Sequence, residues 1–309
     1  MKFKHVEIEN YSDMSKKKRI LILGGTGMLG HILWERLSLR FSDIYTTIRK
    51  GIRDYGNDGL YGSARVIDHM DLMDFRMLEG ALRVIRPDVI LNCIGITKRR
   101  EEPQNPIPSI ILNAVLPHKL AKLAADMNAK LIHFSTDCVF DGRAGHYSDD
   151  APTNATDLYG RTKALGEVTG NNVLTLRSSF IGKEMREGTE LLEWFLSQKD
   201  VIRGFKNAIY TGLTTLELCR VIEKLLLDYP AASGLYNVSS DPINKFDLLS
   251  LIGEQMHHSV EIIPDESFHC DRSLNSERFR KDFGYTPPTW TKMVDELCQE
   301  YSIQPDTLT

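Results

Sequence analysis

The residues in this chain best suited to moving a proton are Tyr159 and Lys163, in the run Tyr159-Gly-Arg-Thr-Lys163. At i and i+4 they share one face of a helix. A phenol with a pKa near ~10 is a poor acid or base near neutrality. A lysine ammonium alongside stabilises the phenolate and lowers that pKa. Such a pair can pass a proton to or from a carbonyl or alcohol oxygen. Thr136 follows Lys130-Leu-Ile-His-Phe-Ser135, which reads as a strand, and its hydroxyl is placed to hold the same oxygen.

A second motif lies far upstream, in Arg19-Ile-Leu-Ile-Leu-Gly24-Gly-Thr26-Gly27-Met28-Leu29-Gly30. An apolar, β-prone run ends in a glycine cluster, and residues 31–37 continue with a helical pattern. The order is strand, tight turn, helix N-terminus. Unpaired N–H groups and a partial positive charge at that terminus can hold a pyrophosphate. Gly24 allows the turn, Gly27 lets backbone approach the phosphates, and Gly30 lets helix pack on strand. Thr26, Met28 and Leu29 complete this expected cofactor turn. The spacing Gly-x-x-Gly-x-x-Gly differs by one residue from the Gly-x-Gly-x-x-Gly dinucleotide fingerprint.

The elements between the two motifs must bring them together. Residues 44–48 read as a second strand ending at Arg49-Lys50. An acidic residue at that strand end favours NAD, whereas arginine accommodates a 2′-phosphate. Arg49 therefore predicts NADP(H), with NADH use left open. Residues 65–67 read as a third strand, with Asp71 and Leu72 just beyond it and a helix over about 72–86 that Pro87 stops. Residues 88–95 form a fourth, buried strand that delivers Cys93, Ile94 and Gly95 to the cofactor side. A long helix over 109–128 leads to the fifth strand, 130–135. Strands alternating with helices imply an α/β fold with a Rossmann-type, doubly wound parallel sheet. Ligands then lie beyond the strand carboxyl ends, where Gly24, Arg49, Asp71, Gly95 and Thr136 all fall.

Composition narrows the function classes. The 309 residues are 42% apolar, enough for a real core, and the net charge of -4 offers no bulk basic field for nucleic acid. No apolar run reaches membrane-spanning length and no signal peptide opens the sequence, which predicts a cytoplasmic protein. Cys93, Cys138, Cys219, Cys270 and Cys298 are odd in number and scattered, as free thiols in a reducing compartment would be. Residues 1–18 are polar, end in three lysines, and read as a tail or edge strand.

Together, the glycine turn, Ser135-Thr136-Asp137 and Tyr159-x-x-x-Lys163 resemble the extended short-chain dehydrogenase/reductase superfamily. The runs His133-Phe-Ser-Thr-Asp-Cys138-Val-Phe-Asp-Gly142 and Tyr159-Gly-Arg-Thr-Lys-Ala-Leu-Gly-Glu167 are similar to its dTDP-4-dehydrorhamnose reductase branch, which usually has an aromatic residue where Cys138 stands. The resemblance implies reduction of the C4 keto group of a nucleotide-linked 4-keto-6-deoxysugar, a step in deoxysugar supply for surface polysaccharide. It implies that Tyr159 donates the proton, that Lys163 lowers the Tyr159 pKa and bonds the nicotinamide ribose, and that Thr136 orients the ketone. A related dehydratase is expected to carry an acid pair after Thr136, but Asp137 is followed by Cys138. An NAD-dependent nucleotide-sugar epimerase, and a non-catalytic NADP-binding regulatory subunit like that of methionine adenosyltransferase, remain as alternatives. A homodimer is left open.

Beyond residue 178 the pattern changes, so residues 19–178 are assigned to the cofactor domain and 179–309 mainly to a substrate lobe, with some segments returning to the sheet. Helices are expected near 191–197, 214–229, 245–257 and 290–301, and a short strand over 235–238. By the resemblance the lobe holds the nucleotide-sugar. Asp137 joins Thr136 as a substrate contact, Trp194 and Phe205 are candidates for base stacking, and Lys206 and Arg272 for the diphosphate. Trp194 and Phe195 on an apolar helix more often belong to a core. His257-His258 and His269-Cys270 offer too few ligands at unhelpful spacing for a metal, and none is expected.

Overall fold

A computed structural model of the chain describes residues 18–55, 61, 65–98, 105–185 and 188–302. The expected strand near the N-terminus lies outside them. The first strand, β1 (Ile20–Leu23), is fully buried on both faces. Ile20 and Ile22 join one core, with Leu33 and Leu37 of α1 (Met28–Leu37) and Ile222 of a later helix. Leu21 and Leu23 join the other, with Leu78 and Leu82 of α2 (Phe75–Ile85) and Leu116 and Leu120 of the next helix. Alternation of side chains along a strand produces this division. Each such aliphatic side chain contributes about 1.5–3 kcal/mol on burial.

β1 is central in a seven-stranded sheet. The remaining strands are β2 (Ile44–Thr47), β3 (Val66–Ile67), β4 (Val89–Asn92), β5 (Lys130–Ser135), β6 (Val173–Arg177) and, from far along the chain, β10 (Gly234–Asn237). The order is β10-β6-β5-β4-β1-β2-β3, and every pairing is parallel. The order reverses between β1 and β4, where a doubly wound sheet opens a crevice. α2 starts at Asp74, whose carboxylate accepts the Arg76 N–H, and stops at Arg86, in left-handed conformation (φ 48°) before Pro87.

The long helix α3 is not uniform. Ile107–Ser109 and Leu116–Asp126 are α-helical, and Ile110–Val115 between them is a π-helix. The catalytic-motif helix, α4 (Leu158–Leu165), is N-capped by Asp157, which accepts the Gly160 N–H.

The rest of the chain makes α5 (Leu191–Ser197), α6 (Thr215–Asp228), α7 (Lys245–Gln255), α8 (Glu277–Phe283) and α9 (Trp290–Ser302). It also makes a two-stranded pair, β7 (Phe180–Ile181) with β9 (Leu213–Thr214), and a three-stranded sheet. That sheet, ordered β11-β8-β12, comprises β8 (Ile202–Tyr210), β11 (Ile243–Asn244) and β12 (Ile262–Asp271). Sequence patterning missed β12 because most of its residues are exposed or half-buried and Pro264 interrupts it. Proline is tolerated there because β12 is an edge strand.

Candidate active site

The glycine turn is set by contact distances. Gly24 has φ +86°, open to glycine at little cost. A Cβ on Gly30 would lie 2.1 Å from the Gly24 carbonyl oxygen, so only glycine lets α1 start this close to β1. Gly27 is the N-cap of α1 and supplies no side-chain cap, and the first turn has no acidic residue. The helix N-terminus therefore keeps its N–H groups and partial charge for an anion.

A cavity of about 750 Å³ opens in front of this turn. Gly24, Thr26, Gly27 and Met28 line it, with Arg49 and Lys50 at the end of β2, Asp71 and Leu72 beyond β3, and Cys93, Ile94 and Gly95 beyond β4. Glu184, Met185 and Thr189 also line it. Leu29 and Gly30 do not line it: Leu29 is buried in the core, and Gly30 makes the close approach already described. The shape and chemistry fit a dinucleotide, with the glycine turn for the pyrophosphate and Arg49 for a 2′-phosphate.

Thr136 and Tyr159 lie together, and Lys163 borders the Gly95 loop that lines this cavity. Thr136 Oγ1 accepts the Cys138 N–H at 3.1 Å and donates to Asp137 Oδ1 at 3.2 Å. Thr136 lies close enough to the Tyr159 phenol to favour its ionised form. Gly160 makes this possible, because a Cβ there would lie 2.1 Å from the Cys138 carbonyl oxygen. Lys163 is buried, and its Nζ donates to the Phe134 carbonyl at 2.6 Å. A Cβ on Gly95 would lie 4.0 Å from that Nζ, so the ammonium borders the loop that lines the cavity.

One expectation is corrected. The Tyr159 pKa is raised, not lowered: burial disfavours the phenolate, Cys138, Asp137 and Glu190 add to the rise, and Thr136 opposes it. The Lys163 charge is instead compromised by its own burial, which brings its pKa down to about 8, with Glu167 and Cys93 acting in the opposite direction.

Asn113, missed in the sequence, locks these parts together. Its Nδ2 donates to the Ile96 carbonyl at 2.9 Å and to Thr162 Oγ1 at 3.2 Å, and its Oδ1 accepts the Ile96 N–H at 2.8 Å. It lies in the π-helical stretch, where a lone asparagine among Ile110, Ile111, Leu112 and Val115 was the available signal. Below, buried Arg177 donates to both oxygens of Glu167 at 2.7 and 2.8 Å, while Ser135 Oγ donates to Glu167 Oε1 at 2.7 Å. That network ties the ends of β5 and β6 to the segment after α4.

Arg272 comes to the catalytic edge from the end of β12. Its Nε donates to the Phe140 carbonyl at 2.9 Å and its Nη1 to Cys138 Sγ at 3.3 Å. Among the described residues no carboxylate forms an ion pair with it, while Asp137 and Asp157 act on it from a distance. The other lobe candidates are placed differently. Trp194 is half-buried against the larger core, Phe205 pairs with Phe268 at 5.0 Å, and Lys206 lies 5.6 Å over the Phe246 ring. His258 packs edge-on against Phe195, and His257 occupies a left-handed turn after α7.

The family model described as RmlD substrate binding domain matches residues 18–303. The dTDP-4-dehydrorhamnose reductase of Escherichia coli K12 is 26% identical over 255 residues, 74% of this chain and 85% of that protein. Methionine adenosyltransferase 2 subunit beta of Xenopus tropicalis is 30% identical over 151 residues, covering 48% of this chain and 42% of that protein. The chain thus matches less than half the length of the amphibian relative. Among solved structures, a Bacillus anthracis dTDP-4-dehydrorhamnose reductase in complex with NADP superposes with a TM-score of 0.75 at 21% identity, covering 92% of this chain and 99% of that one.

Proposed function

Because the chain belongs to the RmlD substrate binding domain family, we propose that it reduces the C4 keto group of a nucleotide-linked 4-keto-6-deoxysugar with NADPH. The observation that supports this reading is Thr136 beside Tyr159, with Lys163 bordering the Gly95 loop of a cleft that the glycine turn and Arg49 also line. The chemistry that NADPH would supply, held by the glycine turn and Arg49, is a hydride for the carbonyl carbon. The chain's part is position and proton. Tyr159, held protonated by burial and by nearby acidic groups, donates its proton to the ketone oxygen. Thr136 orients that oxygen. Lys163 holds positive charge beside the Gly95 loop, where it can bond the nicotinamide ribose and favour the phenolate as it forms. Arg272 offers a guanidinium free of any carboxylate partner among the described residues to the substrate's anionic diphosphate.

The test is direct. Nucleotide-linked 4-keto-6-deoxysugars are offered with NADPH, and loss of the nicotinamide absorbance is followed. Stoichiometric consumption with formation of the 4-hydroxy sugar is the expected result. Turnover without net NADPH consumption would support the epimerase instead. The match to the amphibian subunit supports a second reading, an NADP-binding regulatory protein. Co-purification with a methionine adenosyltransferase, together with no ketosugar reduction, would establish that one.

A further inference from the structure

A second cavity, of about 300 Å³, lies at the opposite edge of the sheet from the cofactor cleft. Val89 and Lys130 open β4 and β5, and Asn172 precedes β6, so the cavity sits at the amino ends of these strands. Aliphatic side chains of β4, β5 and α6 floor it. Its polar lining is mostly donors. Lys18 Nζ donates to the Leu226 carbonyl at 3.1 Å, and Lys130 Nζ donates to the carbonyls of Pro230, at 3.0 Å, and Ala232. These acceptors are neutral, and an ammonium has three N–H groups, so each lysine has a donor left. Among the described residues no carboxylate is in ion-pair contact with either lysine. Asp88 also lines the cavity, but its Oδ2 accepts the Arg19 backbone N–H at 2.7 Å. The side-chain amides of Asn128, Asn171 and Asn172 complete the lining and make no hydrogen bond among the described residues. Both lysines are half-buried, and burial, with the Lys18 charge adding to it, brings the Lys130 pKa from 10.5 down to about 8.

We propose that this cavity binds a small organic anion, with its phosphate or carboxylate head between Lys18 and Lys130 and its apolar part on the aliphatic floor. Two ammoniums against the one carboxylate of Asp88 leave the lining net positive. Charge-assisted N–H···O bonds are roughly twice as strong as neutral ones. A negative head group between the ammoniums also relieves their mutual repulsion, and the asparagine amides can donate to its remaining oxygens. A few convergent polar groups over an apolar floor are the usual make-up of a small-molecule site, and this volume is at the small end of such sites. The inference does not depend on the reductase reading, because the cavity faces away from the cleft where that chemistry is placed.

The experiment titrates phenyl phosphate, benzoate and inorganic phosphate into the full chain by calorimetry, with NADPH in excess and ionic strength fixed with sodium chloride. The NADPH keeps the probes off the glycine turn. One molecule should bind per chain, and phenyl phosphate should bind more tightly than inorganic phosphate because only it reaches the floor. The tighter of phenyl phosphate and benzoate identifies the head group. Lys130→Gln should weaken binding about ten- to a hundredfold, the range for a lost charge-assisted bond. Asn172→Asp keeps both lysines, and it keeps the backbone bond in which the Asn172 carbonyl accepts the Leu131 N–H at 2.8 Å. It places a like charge in the cavity and should weaken binding at least tenfold. Absence of binding by all three probes would overturn the proposal, and so would binding that Asn172→Asp leaves unchanged. If NADPH itself does not bind, the cofactor reading fails, and Asn172→Asp still reports on this cavity alone, across the sheet from the cleft.

Discussion

The two ends of the cleft are built by different means. At the cofactor end the contacts are made by backbone and by glycines close in sequence. Gly24 takes a left-handed turn, Gly27 leaves a helix N-terminus uncapped, and Gly30 fits where any Cβ would meet the Gly24 carbonyl at 2.1 Å. At the substrate end the contacts are side chains brought from distant segments. Arg272 reaches Cys138 across 134 residues. The first arrangement depends on local geometry and tolerates almost no added atom. The second depends on correct docking of the lobe and can be altered one side chain at a time. Substitutions should therefore separate into those that abolish binding or chemistry and those that retune which sugar is accepted.

The largest effect belongs where the two ends meet. Tyr159→Phe removes the proton donor and nothing else of size, so kcat should fall about 10²–10⁴-fold. NADPH binding, which the glycine turn governs, should be nearly unchanged by fluorescence titration. Substantial turnover in this variant would show that the proton comes from elsewhere.

Next comes Gly30→Ala, the sharpest challenge to the backbone-built end. The added carbon must displace the Gly24 carbonyl, because no flexible side chain is available to yield. Overpacking of this kind costs about 1–3 kcal/mol. The expected outcome is a lower Tm together with a loss of NADPH affinity exceeding tenfold. Arg272→Gln tests the other end. Removing the guanidinium should raise the substrate KM about tenfold or more while leaving the NADPH Kd alone, as loss of a charge-assisted bond predicts. A smaller and cofactor-specific change is expected for Arg49→Ala. It should cut the preference for NADPH over NADH by about ten- to a hundredfold without altering sugar selectivity. Equal kcat/KM for the two cofactors in wild type would remove the basis for that assignment.

The same contrast explains what the sequence could reveal. The sheet was legible because fully buried strands such as β1 and β4 are continuous apolar runs, and because glycines and Pro87 punctuate them. Tyr159 and Lys163 were legible because one helix carries both. β12 was not, since an edge strand with exposed faces has no apolar alternation. Asn113 acts through partners 17 and 49 residues away, and nothing in its own neighbourhood marks those partners. The sign of the Tyr159 shift was misjudged for a related reason. An adjacent ammonium is visible in a motif, whereas the burial and the acidic groups that outweigh it belong to the folded site.

The smallest predicted effect is in pH dependence, and it also separates the two ends. Burial brings Lys163 from the usual lysine value of 10.5 down to about 8. Below that pH the ammonium is present and can favour the forming phenolate; above it the charge is lost. The kcat/KM for reduction should therefore be level below pH 8 and fall about tenfold per unit above it, since that ratio reports groups of the free enzyme. NADPH contacts made by backbone N–H groups carry no such group, so the glycine-turn contribution to affinity should stay flat over the same range. Stability moves the other way. Between about pH 8 and 10.5 the unfolded chain binds a proton at Lys163 that the folded chain has given up, so this residue's contribution to stability rises with pH. Lys163→Met should abolish that rise in a urea-unfolding series. An activity limb centred near 10 instead of 8 in wild type would mean that the ammonium is solvated, and that the buried pairing with the Phe134 carbonyl does not govern catalysis.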